Sequence, residues 1–468
     1  MIGPRTRAAS RSTLLGVALA CSATPVEPVA VQAAGGDAVA VADPPSAVPI
    51  EPASVATAAV STPQTQAAHA AALGHVLPDG SDPFSAVVEP RPWRFVPIEP
   101  GASLDRFATA LDEADRVPVR IAMYGASGTA ADTHTAYVRA YLQHRFGDGG
   151  PGLVPLGLAK AWSRHAEVSI RASKGWQAVH AVRHGDASVL ALGPAGLAFD
   201  ARRGGAWVEL RSRSDRSAQV RHLELFALAQ PGGGTLRVRV DGGKATEHPT
   251  AAPGVALLRV GFDVEPGAHR LRVELAGDGP VRLFGVAFER GHGVVVDTLG
   301  VDGARARNWQ RWDPEVWRDA VTARPPSLVT IAYGTNEAVD LDRPMSAFAA
   351  DFTEVLRRIR EAAPQADCVV LGPGDFPERT PDGFVPRPRL AEIIAVEREL
   401  ALAHGCGFWD ELAFMGGPGS MTRWVGTAPP LAREDHLHFR PAGAAVKGHL
   451  LVDALVLGHD AREPTAPR

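Results

Sequence analysis

The chain has 468 residues, 45% of them hydrophobic and 21% charged, with a formal net charge of -4 and 3 cysteines. That length calls for two or three globular units. The slight acidity offers no basic surplus for a nucleic-acid partner, and so few cysteines exclude a disulfide-dense scaffold.

Residues 1–20 read as an export signal. Arg5, Arg7 and Arg11 give a positive start, and Leu14 to Ala20 is an apolar run too short to span a bilayer as a mature helix. The signal places the mature protein outside the cytoplasm, in the periplasm or cell envelope. Two fates stay open. Cleavage can follow Ala18-Leu19-Ala20, or Cys21 can carry a lipid anchor, although Ala18 stands where lipoprotein signals usually have Leu. Residues 21–85 are Ala, Pro, Val, Thr and Ser with almost no aromatics, and read as a disordered tether that cannot bury enough to offset its ordering entropy.

Residues 86–160 read as the first part of an α/β unit. Ser103 to Ala114 has Leu104, Phe107 and Leu111 at helical spacing. Val117 to Tyr124 has the composition of a buried strand and runs into Gly125-Ala126-Ser127-Gly128-Thr129; Asp132 to Phe146 then reads as a helix stopped at Gly147. Strand, glycine turn and helix put Ser127 at the carboxyl end of a strand, where open α/β sheets bind their ligands.

Residues 161–288 change texture. Short alternating runs such as Leu236-Arg237-Val238-Arg239-Val240, broken by turns such as Asp241-Gly242-Gly243, predict an all-β sandwich inserted into the α/β unit. Helix and strand alternation resumes over 289–460, ahead of a short tail at 461–468. Strands are expected at Gly293 to Leu299, Ser327 to Ala332, Cys368 to Leu371 and around Gly407, and helices at Asp313 to Ala323, Ser346 to Ala363, Leu390 to His404 and Ala442 to Leu457. The fold class is therefore α/β, a doubly wound parallel sheet with helices on both faces, interrupted by the sandwich.

Asp435 and His438, three residues apart, share one turn. The carboxylate can bond Nδ1–H of the imidazole and leave Nε2 as a general base. Ser127 offers a hydroxyl and its own backbone N–H. Gly303 offers a backbone N–H and Asn336 a side-chain amide, both donors suited to an oxyanion.

Those residues, in that order after strands, resemble the GDSL/SGNH hydrolases over Val117 to Leu156 and Val294 to Leu457. The resemblance implies a serine esterase working through an acyl-serine, with Ser127, Asp435 and His438 catalytic, an oxyanion hole of Ser127, Gly303 and Asn336, and no cofactor. Ala126 stands where the family has Asp, and Glu337 where it often has Asp. An SGNH domain split by a β-sandwich further resembles exported peptidoglycan and polysaccharide O-acetylesterases. That implies an acetylated glycan or small ester as partner and a carbohydrate-binding-like insert that selects polymer without taking part in bond cleavage. An O-acetyltransferase, a lipase or thioesterase, and a catalytically silent glycan-binding protein stay open as alternatives.

No His, Cys and Asp cluster has the spacing of a closed zinc site, so no metal is expected. Cys368 and Cys406 begin adjacent strands, and two buried thiols or a disulfide both stay open. His134 is expected on a helix surface, His436 facing solvent, and Arg357, Arg358 and Arg360 on a solvated helix face. Trp176, Trp207 and Trp309 are either core residues or a sugar platform.

Overall fold

The computed structural model describes residues 91–99, 104–156, 164–182, 188–213 and 219–462. The expected export signal, the tether, the Cys21 anchor and the end of the tail lie outside the described residues.

Five parallel strands form the central sheet, in the order Gly293–Gly300, Pro118–Gly125, Leu328–Ala332, Asp367–Leu371 and Gly407–Trp409. These strands are near-continuous apolar runs because both faces of the sheet are covered. On one face lie Phe107 and Leu111 of the helix Asp105–Asp112, Val138 and Leu142 of His134–Phe146, and Leu451, Val452 and Leu455 of Pro441–Asp460. The other face takes Val316 and Trp317 of Pro314–Ala323, Phe348, Phe352 and Ile359 of Met345–Ala362, and Ile393 of Pro388–Ala403. Each such side chain contributes roughly 1.5–3 kcal/mol on burial. The sequence sets the helix starts where it can: Asp313 accepts from the N–H groups of Glu315 (3.0 Å) and Val316 (3.1 Å), with Pro314 in the first position.

Register fixes the edge that carries the loops. Gly125 is level with Gly300 on one side and Ala332 on the other, so three strands end together. Cys368 and Cys406 are joined by a disulfide across the last two strands.

Two antiparallel sheets make up the insertion. One runs Ala256–Gly267, Val220–Ala229, Val281–Glu289, Leu197–Ala201, Gln177–His180; the other runs Val168–Ala172, Trp207–Ser212, Arg270–Leu275, Thr235–Val240, Thr246–Pro249. Leu236 and Val238 point inward and are buried while Arg237 and Arg239 are exposed, the period-two pattern of a half-buried strand. Gly152–Pro155, upstream of residue 161, pairs with Val281–Glu289 and so belongs to the first of these sheets. The seam with the parallel sheet is apolar and polar at once. Phe226, Leu228 and Phe284 share a core with Trp309, Trp312 and Trp317. Arg324 donates to Glu289 (2.6 Å) and to Asp297 (2.9 Å), and Arg120 donates to Glu289 (2.7 Å).

The choice left open for Trp309 is settled, and the surface expectation is corrected for Arg358 and Arg360. Trp309 is a core residue, 1% exposed, stacked on Trp312 at 4.2 Å and donating to Tyr333 Oη at 2.8 Å. The Trp207 ring lies under the Arg272 guanidinium at 4.0 Å. Only Arg357 of the arginine trio is an exposed ion-paired residue. Arg358 donates to the carbonyls of Trp309 and Trp312, and Arg360 to that of Ala366. Local charge spacing reads as solvated unless a distant carbonyl comes to meet it.

Candidate active site

Ser127 opens a short helical turn, Ser127–Ala130, immediately after the strand Pro118–Gly125. The turn is tight. A Cβ at Gly125 would fall 2.2 Å from Thr129 Oγ1, so glycine is required there. From the level line of Gly125, Gly300 and Ala332, Ser127, Gly303 and Asn336 follow within a few residues on three adjacent strands.

The loop before the last long helix brings His438 to the same edge. Its Nε2 lies 3.0 Å from Ser127 Oγ, and its Nδ1 lies 2.8 Å from Asp435 Oδ2. Asp435 Oδ1 also accepts the backbone N–H groups of Leu437 and His438, each at 3.0 Å. Burial works against the Asp435 charge, but these bonds hold its carboxyl below the usual carboxylate range. An ionised Asp435 requires the proton on Nδ1, which leaves Nε2 to accept from the Ser127 hydroxyl. The loop is closed by Arg433 N–H donating to His438 O at 2.8 Å, around His436 with φ +54°.

Asn336 Nδ2 donates to Ala304 O at 2.9 Å, which fixes the amide plane with one N–H and leaves a second for the site. Ser127, Asn336 and His438 line one cleft of about 340 Å³, together with Tyr333, Pro373 and Met421. Gly303 has φ +77° at the same sheet edge but is not among the residues lining that cleft. The structure therefore brings Ser127, Asp435, His438 and Asn336 together and joins the Gly303 loop to them through the Ala304 carbonyl, which accepts from Asn336.

Two histidines are placed differently from expectation. His436 is buried, stacked on Phe384 at 3.6 Å, with Nδ1 3.3 Å from Thr422 Oγ1. His134 is 3% exposed, lines the cleft, and bonds the Gly128 backbone beside Ser127. Burial, reinforced by nearby Lys447, pushes its ring well below the ordinary histidine range, so it is neutral. Lys447 itself is paired with Glu411 at 2.7 Å.

A third set escaped sequence reasoning altogether. Asp132, with φ +45° and no side-chain exposure, accepts from Thr135 Oγ1 (2.8 Å), Arg139 Nη2 (2.9 Å), Thr298 Oγ1 (2.9 Å) and Ala166 N (2.7 Å). Arg139 reaches Glu167 at 3.3 Å. The Ser127 turn is thereby tied to the start of the insertion. An Asp followed by a Thr and later an Arg on a helix gives no local sign of this.

Residues 267–446 match the model of the GDSL-like lipase/acylhydrolase family. A solved peptidoglycan O-acetylesterase structure is 23% identical, covers 76% of this chain and 97% of that one, and superposes with a TM-score of 0.65; the likeness is one of fold. A family two carbohydrate esterase from Cellvibrio japonicus is 12% identical and covers 63% of this chain and 98% of that one, at a TM-score of 0.26. No curated protein matches the chain in sequence.

Proposed function

We propose, from the premise that the chain carries a GDSL-like acylhydrolase domain and is a carboxylic ester hydrolase, that it removes O-acetyl groups from a polysaccharide outside the cytoplasm. The observation that carries this reading is the 3.0 Å contact between Ser127 Oγ and His438 Nε2, with Asp435 behind the ring at 2.8 Å.

In this reading Ser127 Oγ attacks the ester carbonyl as its proton passes to His438 Nε2, and Asp435 stabilises the imidazolium. The carbonyl oxygen becomes an oxyanion stabilised by the N–H groups of Ser127 and Asn336, with Gly303 as the third donor from the loop beside the cleft. Collapse expels the sugar hydroxyl, which takes the proton from His438. Water, deprotonated by the same nitrogen, then cleaves the acyl-serine and releases acetate. The short acyl group fits a cleft of about 340 Å³ that must also admit part of a sugar. Peptidoglycan is the leading polymer in this reading, since a solved structure that shares the fold is a peptidoglycan O-acetylesterase.

The test is hydrolysis of p-nitrophenyl acetate, then butyrate and octanoate esters, then O-acetylated peptidoglycan and xylan. Acetate should be preferred over the longer acyl chains, acetate should be released from the O-acetylated polymer, and Ser127→Ala should abolish turnover without lowering Tm. Preference for octanoate would replace this reading with that of a lipase. Transfer of acetyl to added sugar faster than release to water would make the protein an acetyltransferase.

A further inference from the structure

Beneath the loops that carry Gly303 and Asn336 lie two buried carboxyl groups that the reaction does not use. Glu337 is 5% exposed and Glu397 is fully buried. Glu337 Oε1 accepts the N–H of Ala306 at 2.7 Å, and its Oε2 accepts the N–H of Gly334 at 3.0 Å. Ala306 belongs to the Gly303 loop and Gly334 to the Asn336 loop, so one carboxylate ties both. The same loops are joined again by Asn336 Nδ2 on Ala304 O and by Arg305 on Asp340 at 2.8 Å.

Glu397 comes from the helix Pro388–Ala403, and neither of its carboxyl oxygens has a hydrogen-bond donor. A charged carboxylate so placed would cost several kcal/mol, and burial next to the Glu337 charge pushes its carboxyl well above the ordinary range. Glu397 is therefore neutral, and burial pushes the Glu337 carboxyl up as well, to about 7. Both carboxyl groups abut Gly334. That residue has φ +88°, and a Cβ on it would meet Glu397 Oε1 at 2.7 Å. The groups that face Glu337 are Glu397, Tyr333 and Arg305, with Arg389 donating to its backbone carbonyl at 3.2 Å.

We propose that Glu337 is the positioning residue of the oxyanion site: its carboxylate, accepting from Ala306 N–H and Gly334 N–H at once, sets the Gly303 loop against the Asn336 amide, with Glu397 as its buried polar neighbour. The inference rests on the assignment of Gly303 and Asn336 as oxyanion donors. Glu337 as a carboxylate can accept from two backbone N–H groups at once. Once protonated, or replaced by an amide, one of its two terminal atoms turns into a donor that faces a donor. The loops then separate and the transition state loses stabilisation, while ground-state binding is little changed.

The experiment uses the full chain and p-nitrophenyl acetate. Glu337→Gln should lower kcat by about 10- to 100-fold, less than complete loss of an oxyanion donor, with KM within about twofold. Asn336→Ala serves as the control for the underlying assignment. If it leaves kcat unchanged, the oxyanion reading itself fails. If Asn336→Ala lowers kcat but Glu337→Gln does not, or the two losses multiply in the double variant, the brace is wrong and the assignment stands. Glu397 supplies an independent arm should Glu337→Gln not fold. Glu397→Gln keeps a polar neighbour beside Glu337 and should leave the acid limb of the kcat–pH profile, set by Glu337, in place. Glu397→Leu keeps the packing but replaces the polar group with hydrocarbon, and should move that limb to higher pH by about one pH unit. An unmoved limb in Glu397→Leu overturns the role given to Glu397.

Discussion

Asp132→Asn isolates the network that ties the Ser127 turn to the insertion. The substitution is isosteric, and Asn tolerates the φ of +45° at least as well as Asp. The amide oxygen can still accept from Thr135, Thr298 or Ala166, so the main loss is the charge opposite Arg139. Asp132 and Arg139 have fully buried side chains 2.9 Å apart. Burial works against the Asp132 charge, but Arg139 and His165 outweigh it and hold the carboxyl far below its usual range. Breaking such a pair leaves a guanidinium uncompensated, which costs about 3–5 kcal/mol. Glu167, 3.3 Å from the same guanidinium, remains as a partial partner and places the expected loss near the lower end. Against a usual total of about 5–15 kcal/mol that is a large share. Urea titration at pH 7 should show the midpoint falling with the slope unchanged. Because the folded carboxyl titrates lower than the unfolded one, its contribution is present above the unfolded range and fades in acid. The difference between wild type and variant should therefore shrink toward pH 2. A loss below about 1 kcal/mol at pH 7 would mean that Asp132 is neutral or that solvent reaches Arg139, and would refute the argument.

His438→Ala should cut kcat on p-nitrophenyl acetate by roughly 10⁴ or more, whereas His436→Ala should remove about 1 kcal/mol of stacking on Phe384 and only modestly slow the reaction. Equal damage from the two would sink the choice of base. Asp453, whose carboxyl burial pushes up to about 7, accepts from Tyr141 Oη at 3.1 Å. Its folded value lies above the unfolded one, so the stability it contributes is whole below pH 4 and lost as pH rises through 7. Asp453→Asn should accordingly raise Tm at pH 8 and leave it unchanged at pH 4; a uniform shift at both would show that the titration is not the cause.

The parallel strands were legible because a strand covered on both faces must be nearly all apolar, as Val294 to Val296 is. The chemistry of Ser127, Asn336, Asp435 and His438 was legible because each follows a strand or a turn with its own local signal. Long-range burial was not. His134 lies in a segment that reads as an exposed helix start, and only the burial that folding brings, with Lys447 nearby, makes it a neutral cleft residue. Glu397 falls at helical spacing on the buried stripe of Leu390, Ile393, Ile394 and Ala401, which separates it from exposed Glu399, but its approach to Gly334 depends on the fold. The family match begins at residue 267, downstream of Ser127, for a related reason. The insertion separates the nucleophile turn from the rest of the pattern in sequence while the sheet keeps it adjacent in space.

That adjacency also changes how the insertion relates to the site. Alternating strands with no site residue among them suggest a module that could be cut away, but the structure gives it no boundary of that kind. Gly152–Pro155 leaves the first α/β segment already paired with Val281–Glu289, and that strand passes through Arg290, Gly291 and His292 straight into the edge strand Gly293–Gly300, which ends at the Gly303 loop. Phe226, Leu228 and Phe284 fill the core beside Trp309, next to the Tyr333 that lines the cleft. Ala166 and Glu167 complete the coordination of Asp132 and Arg139 behind Ser127. Removing residues 161–288 would thus strip partners from a buried ion pair and empty part of a shared core. Each of those losses is comparable with a sizeable fraction of total stability. The insertion is part of the scaffold that holds the nucleophile turn and the Gly303 loop in register, whatever surface it also offers to a polymer.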